Sequence, residues 1–386
     1  MILRTSNGIF KTKEGGSMYT ELLKIIAGGL TGKPQQVKNY ARRIAQEYVE
    51  NGESRIADKI TRLLTESDTQ TATLDALTAK PFDQETRLAT VDVTVPQESN
   101  ERLFFDDLTE MRIGEFIKAY QMRNALMKKG IEANSRLLLY GPPGTGKTSL
   151  ARYVSVQTGL PLVTARLDAL VSSLLGDTAK NIRRVFEYAG QQPCVLFLDE
   201  FDAIAKVRDD KNELGELKRV VNSLIQNIDG FDNSSILIAA TNHAQLLDNA
   251  IWRRFDTTLA LSLPNDQIRE ELITYFAQVM PNSFMADGRR RAELVGLFKG
   301  MAPAVIKSLF NNAARNCVLA GDEQLEFGSV VLQAYVQRHP ETLDDKAAIQ
   351  YLLAHAVTQA DTAKQLKVSL RKVREVAQKE RKHGKS

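Results

Sequence analysis

An α/β fold, built on a parallel sheet with helices on both faces, is predicted by three features of this 386-residue sequence. The apolar run Leu137-Leu138-Leu139-Tyr140 leads into a glycine-rich turn, Gly141-Pro142-Pro143-Gly144-Thr145-Gly146-Lys147-Thr148, and then into helix-compatible sequence. A second run, Cys194-Val195-Leu196-Phe197-Leu198, ends in two carboxylates, Asp199 and Glu200. Apolar stretches then alternate with amphipathic ones, as strands alternate with crossover helices in a doubly covered sheet.

Bulk properties agree with this class. The length suits two or three domains, and 43% hydrophobic with 25% charged residues is the balance of a globular protein with ample core. A net charge of +4 does not by itself indicate a nucleic-acid binder. Cys194 and Cys317 stand in no metal-ligand spacing, Cys194 reads as core, and the four histidines form no zinc motif. No apolar run approaches membrane-spanning length and the first residues hold no signal-peptide segment, so a cytoplasmic location without a membrane partner is expected.

Residues 1–17 are polar, contain Gly15-Gly16-Ser17, and are expected to form a flexible leader, with Met18 a second candidate start. Residues 18–66 carry three helical patterns expected to form a small bundle. The first begins near Tyr19 and stops at Gly28-Gly29. The second follows Pro34 and sets Val37, Tyr40, Ala41, Ile44, Ala45, Tyr48 and Val49 on one face. The third, capped by Ser54, carries Ile56, Ile60, Leu63 and Leu64. Such a bundle either recruits a partner or is a structural appendage. Residues 67–102, rich in Thr, Ser, Asp and Gln, read as a linker in which Val91–Val95 makes an edge strand at most. Structure resumes near Phe104-Phe105-Asp106-Asp107, with a long helix expected over Ile113–Lys129.

The α/β domain is placed at 103–264. Gly141, Gly144 and Gly146 let the backbone turn so that successive N–H groups face one anion, and the following helix adds the positive end of its dipole. Pro142, Pro143, Thr145 and Ser149 complete this phosphate-binding turn. Lys147 is positioned to reach the β- and γ-phosphates and Thr148 to hold Mg²⁺, so a nucleoside triphosphate is the predicted ligand; a plain Gly/Pro turn before a helix is the alternative. Leu160–Leu167 reads as a strand. Asn181–Ala189 reads as a helix with Ile182, Val185, Phe186 and Ala189 inward. A buried strand ending in Asp199 and Glu200 sets both acids at the carboxyl edge of the sheet, where Asp199 steers Mg²⁺ and Glu200 activates water. A stripe of Leu214, Leu217, Val221, Leu224, Ile225 and Ile228 follows and reads as core.

Gly141–Thr148, Leu198–Ile204, Asn222–Ile225 with Asp229-Gly230-Phe231, and Ala239-Ala240-Thr241-Asn242 together resemble the AAA+ ATPases. The resemblance covers roughly residues 103–338 and is nearest the AAA clade of protein-remodelling and severing members. It implies a P-loop NTPase fold with a small helical lid at 265–338, and ATP with Mg²⁺ bound at the subunit interfaces of a homo-oligomeric ring, hexameric or similar. By the same resemblance Asn242 is a polar sensor that positions water, and Arg253 and Arg254 are fingers reaching a neighbour's γ-phosphate, unless they are a surface basic pair. Leu174-Leu175-Gly176-Asp177 occupies the place of a pore loop, with Leu174 where an aromatic is usual, or else holds core leucines. Lys206–Lys211 would be a second pore-facing loop. Gly300–Ile306 resembles the segment that packs near the adenine; it lacks the arginine that other AAA+ branches place at the equivalent helix start, and Lys307 is not assigned a sensor role.

Residues 339–386 form a helical, basic extension. Thr358–Val376 resembles a helix-turn-helix, with Ala363, Leu366, Val368, Val373 and Val376 at its apolar positions. Thr362 is polar where an apolar residue is expected, and Lys367 stands where glycine is commonest. Arg371, Lys372, Arg374, Lys379, Arg381 and Lys382 make the second helix and tail basic; the alternative is a solvated helix pair of the lid. The leading expectation is therefore an ATP-hydrolysing ring that remodels a protein substrate beside a separate effector. A DNA-associated ATPase and an assembly switch that translocates nothing are the alternatives.

Overall fold

In a computed structural model of the chain, the described residues are 91–96, 102–132, 135–167, 175–203, 214–340 and 344–383, with helical fragments between 24 and 61. Two compact units are present, residues 1–79 and 80–386. In the first, Ile44, Ala45 and Ala57 are buried on helical backbone. Val49 and Ile56, expected inward, are 57% and 41% exposed. The first helical pattern apart from Lys24, and Val37, Ser54, Leu63 and Leu64, lie outside the described residues.

The second unit is organised by a six-stranded sheet. Its strands are β1 (Val91–Thr94), β2 (Arg136–Tyr140), β3 (Leu162–Arg166), β4 (Val195–Asp199), β5 (Ile236–Thr241) and β6 (Thr257–Ala260), in the order β1-β3-β4-β5-β2-β6. All pairings are parallel except β1 with β3, where Val91 faces Ala165 and Thr94 faces Leu162. The interior strands are buried on both faces, which is why Leu137, Leu138 and Leu139 run without a polar break at no more than 1% exposure. In the parallel register Leu138 opposes Ala239 on one side and Thr258 on the other. The carboxyl ends of β2, β4 and β5 therefore open at one edge.

Helices α1 (Asp107–Gln121) and α2 (Arg123–Lys128) replace the single helix expected over Ile113–Lys129. The Asp106 carboxylate accepts the Thr109 N–H at 2.8 Å and starts α1 a turn and a half earlier. At the break, the Arg123 guanidinium donates to the Tyr120 carbonyl at 3.1 Å and lies over its ring. Helix α3 (Lys147–Thr158) follows the glycine turn, and α4 (Leu175–Ala189) begins six residues before the expected start at Asn181. Ile182, Val185, Phe186 and Ala189 of α4 are buried as their spacing demands. Helix α5 (Leu214–Asp229) buries Val220, Leu224 and Ile228, while Val221 and Ile225 are half-buried. Helix α6 (Asn249–Trp252) is a single turn capped by Asp248.

Past Pro264 the chain is helical: α7 (Asp266–Phe276), α8 (Gly288–Leu297), α9 (Pro303–Ala320) and α10 (Phe327–Arg338). Phe284, Phe298, Phe310, Leu294 and Val330 lead their common core, which is separate from the core under the sheet. The Arg269 side chain, only 5% exposed, closes the junction: it donates to Pro264 O at 2.6 Å and Val295 O at 3.0 Å and pairs with Asp266. Helices α11 (Asp345–Ala354), α12 (Gln359–Leu366) and α13 (Leu370–His383) end the chain, joined through Ile349, Val373 and Val376.

Candidate functional site

The strand β2 delivers the chain into the turn Gly141–Gly146, whose three glycines all have positive φ, 143°, 76° and 101°. Two of them are fixed by neighbours. A Cβ on Gly141 would collide with the Leu261 backbone carbonyl, and one on Gly144 would meet the Ala304 and Ala302 side chains at 3.1 and 3.3 Å. Gly146 is the left-handed residue that starts α3, so the turn ends with the first N–H groups of that helix unpaired within it.

Lys147 is 8% exposed and donates from Nζ to Gly141 O and Pro142 O, each at 2.8 Å. Burial lowers its pKa, against the opposing pull of the Asp199 and Asp202 carboxylates. The Thr145 hydroxyl donates to Pro142 O at 2.9 Å and braces the turn. The Thr148 hydroxyl, on the first turn of α3, donates to Asp199 Oδ2 at 3.3 Å. Asp199 Oδ1 in turn accepts the Glu200 N–H at 2.9 Å, and Glu200 has φ of 52°, a left-handed conformation that costs a side-chain-bearing residue about 1 kcal/mol. The Thr148 and Asp199 oxygens offer the hard donor set that Mg²⁺ takes at a triphosphate, so the residues present fit that ion.

In the turn after β4, buried Asp202 accepts the Thr241 hydroxyl at 3.0 Å and the Asn242 N–H at 3.3 Å through one oxygen. Phe201 N–H donates to Ala240 O at 2.9 Å. These bonds lash the segment after β4 to the end of β5 and hold Asn242 beside the acids. Asp202 carried no assigned role in the sequence; the signal was an acid three residues past an apolar strand, indistinguishable there from a solvated loop.

Between the sheet edge and the lid lies a cavity of ≈ 430 Å³. Pro143 to Ser149, Asp199, Glu200 and Asn242 all line it, while Gly141 and Pro142 lie just below as acceptors for Lys147. On the opposite wall, Pro303 and Ala304 come from the Gly300–Ile306 segment that the sequence set near the adenine, while Arg102, Phe104, Phe105 and Phe276 carried no assigned role there. Arg102, Phe104 and Phe105 enter from before α1, Phe276 from α7, and Ala304 and Lys307 from α9. The Ala304 N–H donates to Gly144 O at 3.2 Å, joining lid and turn directly.

Arg253 and Arg254 do not line this cavity. Arg253 is exposed at the end of α6. Arg254 donates to Ala250 O at 3.2 Å and sits against the Asp229 carboxylate, 3.3 Å from Nε to Oδ1. Leu174 and Lys206–Lys211 lie outside the described residues; Leu175, Gly176 and Asp177 form the first turn of α4. Cys194 is wholly buried ahead of β4, and burial pushes its thiol up to about 12, so it is core. Among the described residues no group of His, Cys, Asp and Glu could hold a metal without a further ligand, and no helix is long and apolar enough to cross a membrane.

Residues 137–263 match the model of the ATPase family associated with various cellular activities (AAA). An uncharacterised AAA family ATPase of Sinorhizobium fredii is 50% identical over 148 residues, 38% of this chain and 45% of that protein. A proteasome-activating nucleotidase of Methanococcus maripaludis is 37% identical over 52% of this chain and 49% of its own length. The ATP-dependent zinc metalloprotease FtsH 1 of Symbiobacterium thermophilum is 33% identical over 55% and 36%. The chain thus spans half or less of each of these relatives. Strands β3 to β6, all of β2 but Arg136, and every acid and glycine of the cavity fall inside the matched span, so the chain is one that carries an AAA+ ATPase domain.

Proposed function

We propose that this chain hydrolyses ATP within a homo-oligomeric ring, of hexameric type, and spends the cycle on remodelling a protein substrate. The observation that carries the reading is the gathering of the Lys147 amine, the Thr148 hydroxyl and the Asp199 and Glu200 carboxylates on one wall of the cavity. In this reading the N–H groups of the glycine turn and Lys147 cradle the β- and γ-phosphates. Thr148 and Asp199 would hold Mg²⁺, which when bound neutralises charge on the phosphate oxygens. Glu200 accepts a proton from the attacking water, Asn242 orients that water, and the oxygen–phosphorus bond to ADP breaks as the new one forms.

Arg253 and Arg254 point the same way. Both lie off their own cavity, so the γ-phosphate they would serve belongs to a neighbour, and donors of this kind are worth about 10³–10⁵ in rate. The lid contact from Ala304 to Gly144 gives nucleotide occupancy a route to lid position. The relatives named as a proteasome-activating nucleotidase and an ATP-dependent protease favour a polypeptide substrate.

The test uses Glu200→Gln in the full chain. It should bind ATP, hold it unhydrolysed, and sediment as a stable ring. It should also fail to unfold a fluorescent protein carrying an unstructured tail that the wild-type chain unfolds with ATP. Turnover equal to wild type would refute the role of Glu200, and a wild-type ring that turns over ATP but unfolds no tailed substrate would refute the remodelling step.

A further inference from the structure

We propose that α12 and α13 form a helix-turn-helix that binds duplex DNA, with α13 in the major groove. The inference goes beyond ATP hydrolysis and stands independently of it. The last 43 residues, from Asp344, hold ten Lys and Arg against five Asp and Glu, whereas the whole chain is only +4. The remaining 343 residues are therefore slightly acidic, and the positive charge of the protein is concentrated at this end.

The geometry resolves both departures noted in the sequence. Lys367, at the position where glycine is commonest, has φ of 54° and ψ of 36° and caps α12 in the left-handed conformation the turn needs. Thr362 takes the apolar position at 0% exposure, and its hydroxyl finds no hydrogen-bond partner among the described residues. The fold has thus accepted a strained lysine and a buried unpaired hydroxyl to keep a three-residue turn between the helices. Val373 and Val376 face inward onto Ile349 of α11, with Ala363, Leu366 and Val368 packed beside them. This is the burial pattern of a helix-turn-helix rather than of a loosely solvated pair.

Burial of Val373 and Val376 decides which face of α13 is left. Arg371, Lys372, Arg374, Gln378 and Lys379 are exposed. Arg371 pairs with Glu375 at 2.9 Å and Lys372 with Asp345 at 2.6 Å. The Arg371 side chain is 89% exposed, and ion pairs so placed are weak enough for phosphate to compete. The 14 residues of α13 make about 21 Å of helix, enough to lie along a major groove roughly 12 Å wide. Recognition helices of this motif present their N-terminal residues to the bases, and here those are Arg371, Lys372 and Arg374. Ser369 caps the same end, accepting the Lys372 N–H at 3.3 Å.

The test is fluorescence anisotropy of the full chain with a labelled mixed-sequence duplex across a potassium chloride series. Binding should weaken steeply with salt, by about 0.9 in the log–log slope for each phosphate contacted. The triple variant Arg371→Ala, Arg374→Ala, Lys379→Ala should lose about tenfold or more in affinity and flatten the slope by up to roughly 2.7 units, with ATP turnover unchanged. Arg371→Lys with Arg374→Lys should restore most of the affinity, which separates charge from folding. The proposal is overturned if the wild-type chain shows no salt-dependent duplex binding or if the triple variant binds as well as wild type. It is also overturned if single strands bind as tightly as the duplex, or if vesicles of anionic phospholipid bind and the duplex does not displace them.

Discussion

Asp202 offers the sharpest test of how the sheet edge is organised. Its carboxylate is 2% exposed and one oxygen accepts both the Thr241 hydroxyl at 3.0 Å and the Asn242 N–H at 3.3 Å. Hydrogen bonds to a charged group contribute about 1.5–3 kcal/mol each. Removing them in Asp202→Ala also relieves the cost of burying a carboxylate, so a net loss of about 2–4 kcal/mol is expected from urea denaturation. Asp202→Asn keeps an acceptor oxygen and should lose about half as much. The functional consequence follows from position. Asn242 would lose the bond that fixes its backbone, and a shift on the order of 1 Å in a catalytic group costs about 10²-fold in rate. ATP turnover by Asp202→Ala should therefore fall by about that factor while a fluorescent non-hydrolysable ATP analogue binds as in wild type, because the glycine turn is untouched. Wild-type kcat in the alanine variant, or a rate loss matched by an equal loss of affinity, would refute the reasoning.

Other perturbations probe the remaining joints. Lys147→Ala should abolish triphosphate binding, measured by calorimetry. Burial lowers the wild-type Lys147 pKa below 10.5, so ATP affinity should start to fall at a pH where a free lysine is still charged. Across that window, loss of the buried proton favours the fold, so stability should rise while affinity drops. The double variant Arg253→Ala, Arg254→Ala should bind ATP but hydrolyse it about 10³-fold slower, and mixing it with Lys147→Ala subunits should restore part of the turnover. Arg269→Met would leave the Pro264 and Val295 carbonyls short of a donor and should cost about 3 kcal/mol in denaturant titration.

The parts of this molecule legible in its sequence are those whose chemistry is set by neighbours along the chain. The strand β2 and its glycine turn, the strand β4 and its two acids, and the helix entered at Lys147 each announce themselves within a dozen residues. What was not legible lies where distant segments meet. Phe105, from before α1, and Phe276, from α7, line the same cavity, and neither stands in any motif. The break between α1 and α2 depends on one guanidinium folding back to Tyr120 O, a contact that helical periodicity does not register. Asp202 and Glu200 show the same point from inside a motif. The sequence places two acids after β4, but only the backbone turn at Glu200, with φ of 52°, sends the chain round so that Asp202 reaches the end of β5. The bond from Ala304 to Gly144 has a related meaning. It ties the lid helix to the glycine turn, where Ala304 and Ala302 stand so near that a Cβ on Gly144 would meet them at 3.1 and 3.3 Å. In the proposed cycle a movement of the glycine turn would reach α9 through Ala302 and Ala304, small uncharged residues that leave no mark on composition.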